Sequence, residues 1–257
     1  MLFPISDDDR GISGPCWVTH AILLANIVVF GWQVSHPAFT YGWSVIPAEI
    51  TSGTDLVEPI QLEADGQRIE IPQVPGPRPI YITLLSSMFM HGGLGHIFGN
   101  MLYLWIFGNN VEHRFGHVRF LLFYLASGLA ATAAQLAIWP NSIVPNLGAS
   151  GAISGVLGAY IVLFPRNRVN VIVFYHVVSI PAFMVIGLWA VTQFMHGFGS
   201  IAMTHQTDGV GVAYMAHVGG FVAGVVVAGL VRLNMKSEPD SMIFRQYRRD
   251  DRVVRWW

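Results

Sequence analysis

Charge is what this chain of 257 residues has least of: only 11% of them are Asp, Glu, Lys or Arg, against roughly 25% in soluble domains. With 53% hydrophobic residues and a mean hydropathy of +0.50, that scarcity excludes an ordinary soluble domain and predicts a polytopic membrane protein. The single cysteine, Cys16, excludes an intrachain disulfide and a cysteine-based zinc site, and reads as a membrane-edge residue. No His-Glu-x-x-His occurs and no paired aspartates lie in apolar stretches, which removes metal-dependent and aspartyl intramembrane proteolysis. A secretory signal is also missing: Asp7-Asp8-Asp9 occupies the place of a basic n-region, and no small-residue cleavage pattern follows the first apolar run. The first span is therefore expected to stay as an anchor.

What charge there is falls between gaps. Asp, Glu, Lys and Arg are absent from 11–48, 79–111, 120–165, 169–207 and 209–231. A spanning helix needs about 20 mainly apolar residues, so the 46-residue gap from Phe120 to Pro165 holds two spans about a turn at Trp139-Pro140-Asn141-Ser142. The others hold one each. The expectation is an all-α membrane protein with six helices, at 17–35, 92–110, 118–138, 149–165, 170–195 and 212–233. One membrane domain over 1–257 is expected, with its core at about 80–230, an outer loop at 36–80 and a tail at 234–257. Of the 14 basic residues, 12 fall on the side holding both termini and only Arg68 and Arg78 opposite. The positive-inside rule places both termini in the cytoplasm. That asymmetry reports topology and gives no sign of a nucleic-acid partner; membrane lipid is the partner that composition implies.

In the first loop, Ile60 to Ile71 alternates apolar and polar residues around Asp65-Gly66, which predicts a small outer β-hairpin. Pro72, Pro75, Pro77 and Pro79 predict an extended lead into the second helix. A lid, a docking site and a plain insertion all remain open as its role. At the other end, Arg245 to Trp257 mixes basic residues with Trp256-Trp257, as an interfacial tail or a solvated end would.

Within the apolar segments stand residues that hydrocarbon does not favour. Ser150 sits in Gly148-Ala149-Ser150-Gly151 and His217 in Ala216-His217-Val218-Gly219-Gly220. On the expected topology the second, fourth and sixth helices run in the same direction. His96 and Asn100 in the second, Ser150 in the fourth and His217 in the sixth then share one depth near the outer face. His96 and Asn100 are four apart, so they lie on one helix face. Gly151, Gly155 and Gly158 stripe the fourth helix, and Gly220, Gly224 and Ala228 the sixth. Such small-residue stripes let membrane helices approach backbone to backbone, which is what a serine needs to reach a histidine. The chemistry this permits is acyl transfer: Ser150 attacks a carbonyl after passing its proton to His217. His96, Asn100 and the Ser150 backbone N–H would stabilise the oxyanion. No Asp or Glu lies in an expected span, so a dyad is expected rather than a triad.

These motifs, with His96-Ile97-Phe98-Gly99-Asn100-Met101 upstream, resemble the rhomboid intramembrane serine proteases. Phe89-Met90-His91 and Glu112-His113-Arg114-Phe115-Gly116 add to the resemblance, which runs from about residue 80 to 230. It implies a six-helix bundle in a cell membrane that cleaves transmembrane protein substrates within or near the bilayer, without cofactor, metal or nucleotide. By that resemblance Ser150 is the nucleophile, His217 the general base, and His96 with Asn100 the oxyanion site. It also implies a preference for small residues at the cut, and a substrate gate formed by the fifth helix with a cap loop at about 197–211. A bare six-helix core suggests a bacterial chain. Two departures stand out: Ile82-Thr83 replace the family's frequent Trp-Arg pair before the second helix, and Ser154 replaces an aromatic four residues after the nucleophile. The second leaves open what orients His217.

Other residues read more plainly. His91, five before His96, falls on another face and supports the loop. His20, His113, His117, His176, His196 and His205 show no ligand spacing; Glu112 and Arg114 read as loop hydrogen-bonders. A transporter or channel would account for six spans but would want buried acidic groups and an internal repeat. The serious rival is a catalytically inactive rhomboid-like protein that binds membrane clients; such proteins ordinarily lack the serine or the histidine, and both are here.

Overall fold

The computed structural model describes residues 3–9, 12, 14–64, 67–203 and 213–234. In chain order its strands are β1 (Phe3–Asp7), β2 (Ile60–Ala64), β3 (Gln67–Ile71), β4 (Arg168–Val173) and β5 (His176–Pro181). Its α-helices are α1 (Trp17–Ser35), α2 (Pro37–Trp43), α3 (Pro47–Ser52), α4 (Thr83–Ser86), α5 (Leu94–Phe115), α6 (His117–Ile138), α7 (Ser150–Leu163), α8 (Ala182–Met203) and α9 (Tyr214–Asn234). Helix α4 is flanked by single 3₁₀ turns. Among the described residues α1, α6 and α9 are long and apolar enough to cross a membrane. Their outward residues, such as Leu24, Ile27 and Val28 on α1 or Val226, Leu230 and Leu233 on α9, are apolar and exposed, a pattern that lipid satisfies and water does not.

The core lies around α7, whose residues from Gly151 to Tyr160 are all buried. It packs against α9 through glycine: a Cβ on Gly220 would lie 2.0 Å from the Gly151 carbonyl oxygen, and one on Gly224 2.0 Å from that of Gly155. Gly158 meets the Phe221 carbonyl in the same way. Helix α6 closes a third side, its Ala131 and Ser127 against Gly151 and Gly155.

Glu112 lies in the last turn of α5, not in a loop, and caps α1. The Val18 and Thr19 backbone N–H groups donate to its two oxygens at 2.9 and 2.6 Å, and the Thr19 hydroxyl donates at 2.6 Å. A carboxylate there satisfies amides that have no partner within their own helix. His117, opening α6, joins the same carboxylate. Gly116, at φ +80°, makes the one-residue break between α5 and α6 where a side chain would be strained.

Three expectations change. The fifth helix begins at Ala182 rather than 170, because residues 168–181 form the β4–β5 hairpin. From residue 169 that stretch lacks charge, so hydropathy joined it to the helix, yet Val169, Val171 and Val173 alternate with the two-residue period of a strand. The fold is then not wholly helical: β1 pairs antiparallel with β4, making a three-stranded sheet in the order β1-β4-β5. Finally, residues up to Met203 of the expected cap loop are helical, and 204–212 lie outside the described residues. Strands β2 and β3 pair with Ile60 opposite Ile71 and Ala64 opposite Gln67; Asp65-Gly66 and the tail from 235 lie outside the described residues.

Strand β1 is held by Asp7, whose Oδ2 accepts from Tyr160 on α7 at 2.6 Å and from Asn110 on α5 at 2.7 Å. Burial pushes the Asp7 carboxyl up to about 7, opposed by the Tyr160 hydrogen bond and assisted by the neighbouring charges of Asp9 and Asp8. A carboxyl raised on folding stabilises most below its unfolded value, and that contribution is lost as pH rises through the folded value. Amide protection of residues 3–7 is thus expected to weaken as pH rises from about 4 to about 7 and to level off above that, beyond the intrinsic exchange trend. Asp7→Asn should remove the excess. Protection that is flat with pH in the unaltered chain would contradict this.

Candidate active site

Ser150 is the first residue of α7 and His217 lies in the first turn of α9. The glycine seam brings the two helix starts together, so that Ser150 Oγ lies 2.8 Å from His217 Nε2. Ser154 does not reach the histidine, since its hydroxyl donates back to the Ser150 carbonyl at 2.6 Å. The His217 ring is flanked instead by Trp189 on α8, with centroids 6.2 Å apart, and by Tyr214 at 6.4 Å, edge to face. Its Nδ1 faces the side-chain oxygen of Gln193, also on α8, at 2.7 Å.

Gly148 is not at the helix seam. At φ +133° it carries the chain into α7, and a Cβ there would lie 2.9 Å from both Cε1 and Nε2 of the His96 ring. Glycine is required twice over, by backbone conformation and by this close approach. The approach to α7 is tied down by the Gly148 N–H donating to the Ser87 carbonyl at 2.9 Å and by paired backbone bonds between Val45 and Asn146. His96 Nδ1 accepts from the Gly92 N–H at 3.3 Å. That bond leaves Nε2 to carry the ring proton beside Gly148 and Ser150. Asn100, one turn further along α5, is buried, and its side-chain nitrogen has no partner among the described residues.

His91 is also buried, with its ring edge to face on His96 at 5.1 Å. Its backbone is gripped by Gln33 of α1, which accepts from the His91 N–H at 2.9 Å and donates to its carbonyl at 3.3 Å. Gln33 and Gln193 were both missed in the sequence. Each is an amide in an apolar helix, the same signal that drew attention to Ser150. In the first loop, Thr83 turns its hydroxyl back to the Ile80 carbonyl at 2.7 Å while Ile82 stays exposed. A cavity of about 50 Å³ opens beside Ser150, lined in part by Val45, Ser87, Gln135, Asn146 and Gly148. Among the described residues no group of three or more His, Cys, Asp or Glu is placed to hold a metal.

Residues 79–234 match the family profile of the Rhomboid domain. The chain belongs to the rhomboid family. Relatives include the rhomboid protease GluP of Bacillus subtilis, 33% identical over 152 residues, which are 58% of this chain and 26% of that protein. Another is the mitochondrial rhomboid protein 1 of Saccharomyces cerevisiae, 32% identical over 158 residues, 56% of this chain and 40% of that one. The mitochondrial presenilin-associated rhomboid-like protein of Homo sapiens is 31% identical over 100 residues, 38% of this chain and 26% of that protein. The matched region thus spans between about a quarter and two fifths of these relatives. As a rhomboid this is a membrane protein, and its relatives occur in mitochondria as well as in a bacterium. In this rhomboid, Trp189 and Tyr214 stand about the histidine ring where the family often has an aromatic on the nucleophile's helix.

Proposed function

We propose that this rhomboid is an intramembrane serine endopeptidase that cleaves transmembrane protein substrates with a Ser150–His217 dyad. The observation that carries this reading is the 2.8 Å approach of Ser150 Oγ to His217 Nε2. Ser150 passes its proton to His217 Nε2 as Oγ bonds to the substrate's carbonyl carbon, and Nε2 then protonates the leaving amine as the peptide bond breaks. Water, activated by the same nitrogen, hydrolyses the acyl-enzyme. The negative oxygen of each tetrahedral intermediate takes hydrogen bonds from His96 Nε2, Asn100 Nδ2 and the Ser150 backbone N–H, which has no acceptor within α7. The cavity beside Ser150 suits a water molecule or a substrate side chain of methyl size.

In the proposed topology α1, α5, α6, α7, α8 and α9 each cross the membrane. Both termini and the β1-β4-β5 sheet are cytoplasmic, and the β2–β3 hairpin and the active site lie toward the other side. The basic residues Arg114, Arg119, Arg166 and Arg168 gather at the end opposite the dyad, as the positive-inside rule asks. With 14 residues, α7 spans about 21 Å of a hydrocarbon core about 30 Å thick. Starting from the opposite face, it leaves Ser150 roughly 10 Å beneath the outer surface. A short helix is tolerated there because α7 is surrounded by protein and meets no lipid.

The test is purified protein in vesicles with a transmembrane substrate, together with a fluorophosphonate probe that labels activated serines. Cleavage with labelling at Ser150 supports the reading. Intact substrate that nevertheless co-purifies with the protein would point to an inactive, client-binding relative. Asn100→Ala is expected to slow turnover roughly 10²- to 10³-fold with the melting temperature little changed. Unchanged turnover would remove Asn100 from the oxyanion site.

A further inference from the structure

We infer that Gln193 is the positioning residue of this site, a neutral third partner that sets the ring of His217. The inference rests on the dyad reading above and extends it to α8, where no catalytic group had been assigned. The Gln193 carbonyl oxygen lies 2.7 Å from His217 Nδ1. An amide oxygen only accepts, so Nδ1 must donate, and in the neutral ring that leaves the Nε2 lone pair facing Ser150 Oγ at 2.8 Å. One tautomer is thereby selected, the one that can take the serine proton.

The amide is itself held in orientation. Its nitrogen donates to the Thr192 hydroxyl at 3.5 Å, and that hydroxyl donates to the Trp189 carbonyl at 2.7 Å. With the nitrogen occupied, the oxygen is presented to the histidine. Trp189 lies four residues before Gln193, hence on the same face of α8, and its indole flanks the same imidazole. Helix α8 therefore contributes both a hydrogen-bond acceptor and a packing wall, while the position four after the nucleophile, Ser154, is spent on a backbone carbonyl. An uncharged acceptor suits the place. A carboxylate in an apolar interior is penalised heavily while His217 is neutral, whereas an amide dipole orients the ring and still steadies the imidazolium that forms in turnover.

The test uses the full chain in vesicles with a transmembrane substrate, the fluorophosphonate probe, and the variants Gln193→Leu and Gln193→Glu. Gln193→Leu should lower kcat roughly 10- to 100-fold while KM stays within about two-fold. Its acidic limb in the pH–rate profile should move to lower pH, because the imidazolium has lost an acceptor. Gln193→Glu keeps an acceptor and adds charge, so the acidic limb should move to higher pH than in the unaltered protein. A purely structural residue would not order the three limbs in this way. Gln193→Leu turning over at the unaltered rate, or both variants slowed alike with the limb unmoved, would overturn the inference. Should Gln193→Leu fail to fold, the limb of Gln193→Glu decides alone: raised supports it, unmoved overturns it. An unaltered protein that neither cleaves nor takes the probe overturns the dyad and this inference with it. One that does both while the variants behave as wild type overturns this inference alone.

Discussion

Ser150→Ala and His217→Ala are each expected to lower cleavage of a transmembrane substrate by at least about 10³-fold, with melting temperatures near that of the unaltered chain. The two side chains act as one unit: without Oγ there is nothing for Nε2 to deprotonate, and without Nε2 the serine keeps its proton. The double variant should therefore be about as slow as either single one. Fluorophosphonate labelling separates the roles, since Ser150→Ala removes the atom that is labelled and His217→Ala removes its activation. Both variants are expected to remain unlabelled. Cleavage by either at the unaltered rate would sink the dyad.

Gly220→Ala should also be strongly damaging, although the residue carries no chemistry. Its added Cβ would lie 2.0 Å from the Gly151 carbonyl oxygen, a backbone atom that no rotamer change can move. Helices α7 and α9 would have to part by roughly 1 Å, and misplacement of that size costs on the order of 10²-fold in rate. Overpacking also destabilises, by about 1–3 kcal/mol in a well-packed interior, so the melting temperature should fall along with activity. Gly229→Ala is the control: on the same helix, a Cβ there meets nothing within 4 Å. It should be neutral or slightly stabilising, because alanine forms helix more readily than glycine. Equal behaviour of the two variants, by thermal unfolding and by substrate cleavage, would remove the close-approach argument.

These two cases mark how far the sequence could be read. Ser150 and His217 stood out because each is a polar side chain in an apolar run, and the glycine stripes at 151, 155, 220 and 224 announced a seam through spacing alone. Gln193 was equally conspicuous by the first criterion, in the apolar stretch 182–203, yet went unread because no motif directs attention to it. Its partner lies 24 residues away, across a segment with no periodic signal. The β1-β4-β5 sheet failed for a different reason. Absence of charge is shared by membrane helices and buried strands, so the gap at 169–207 could not reveal that its first part is extended. Glu112 was legible as a hydrogen-bonding residue but not as the cap of α1, which lies 93 and 94 positions earlier.

Amino-acid order by itself determined the membrane class, the ends of most long helices and the pair of residues on which the proposed chemistry turns. Those properties are written locally, in hydropathy over about 20 residues and in side-chain spacing along one helix. Only the tertiary structure decided that Ser150 and His217 lie 2.8 Å apart, that Gln193 stands behind the histidine, and that the amino-terminal strand closes a sheet on the α7–α8 connection. Each of those depends on distances between separate elements, and such distances are set by how backbones pack at glycine, where the loss or gain of one methyl group moves a whole helix.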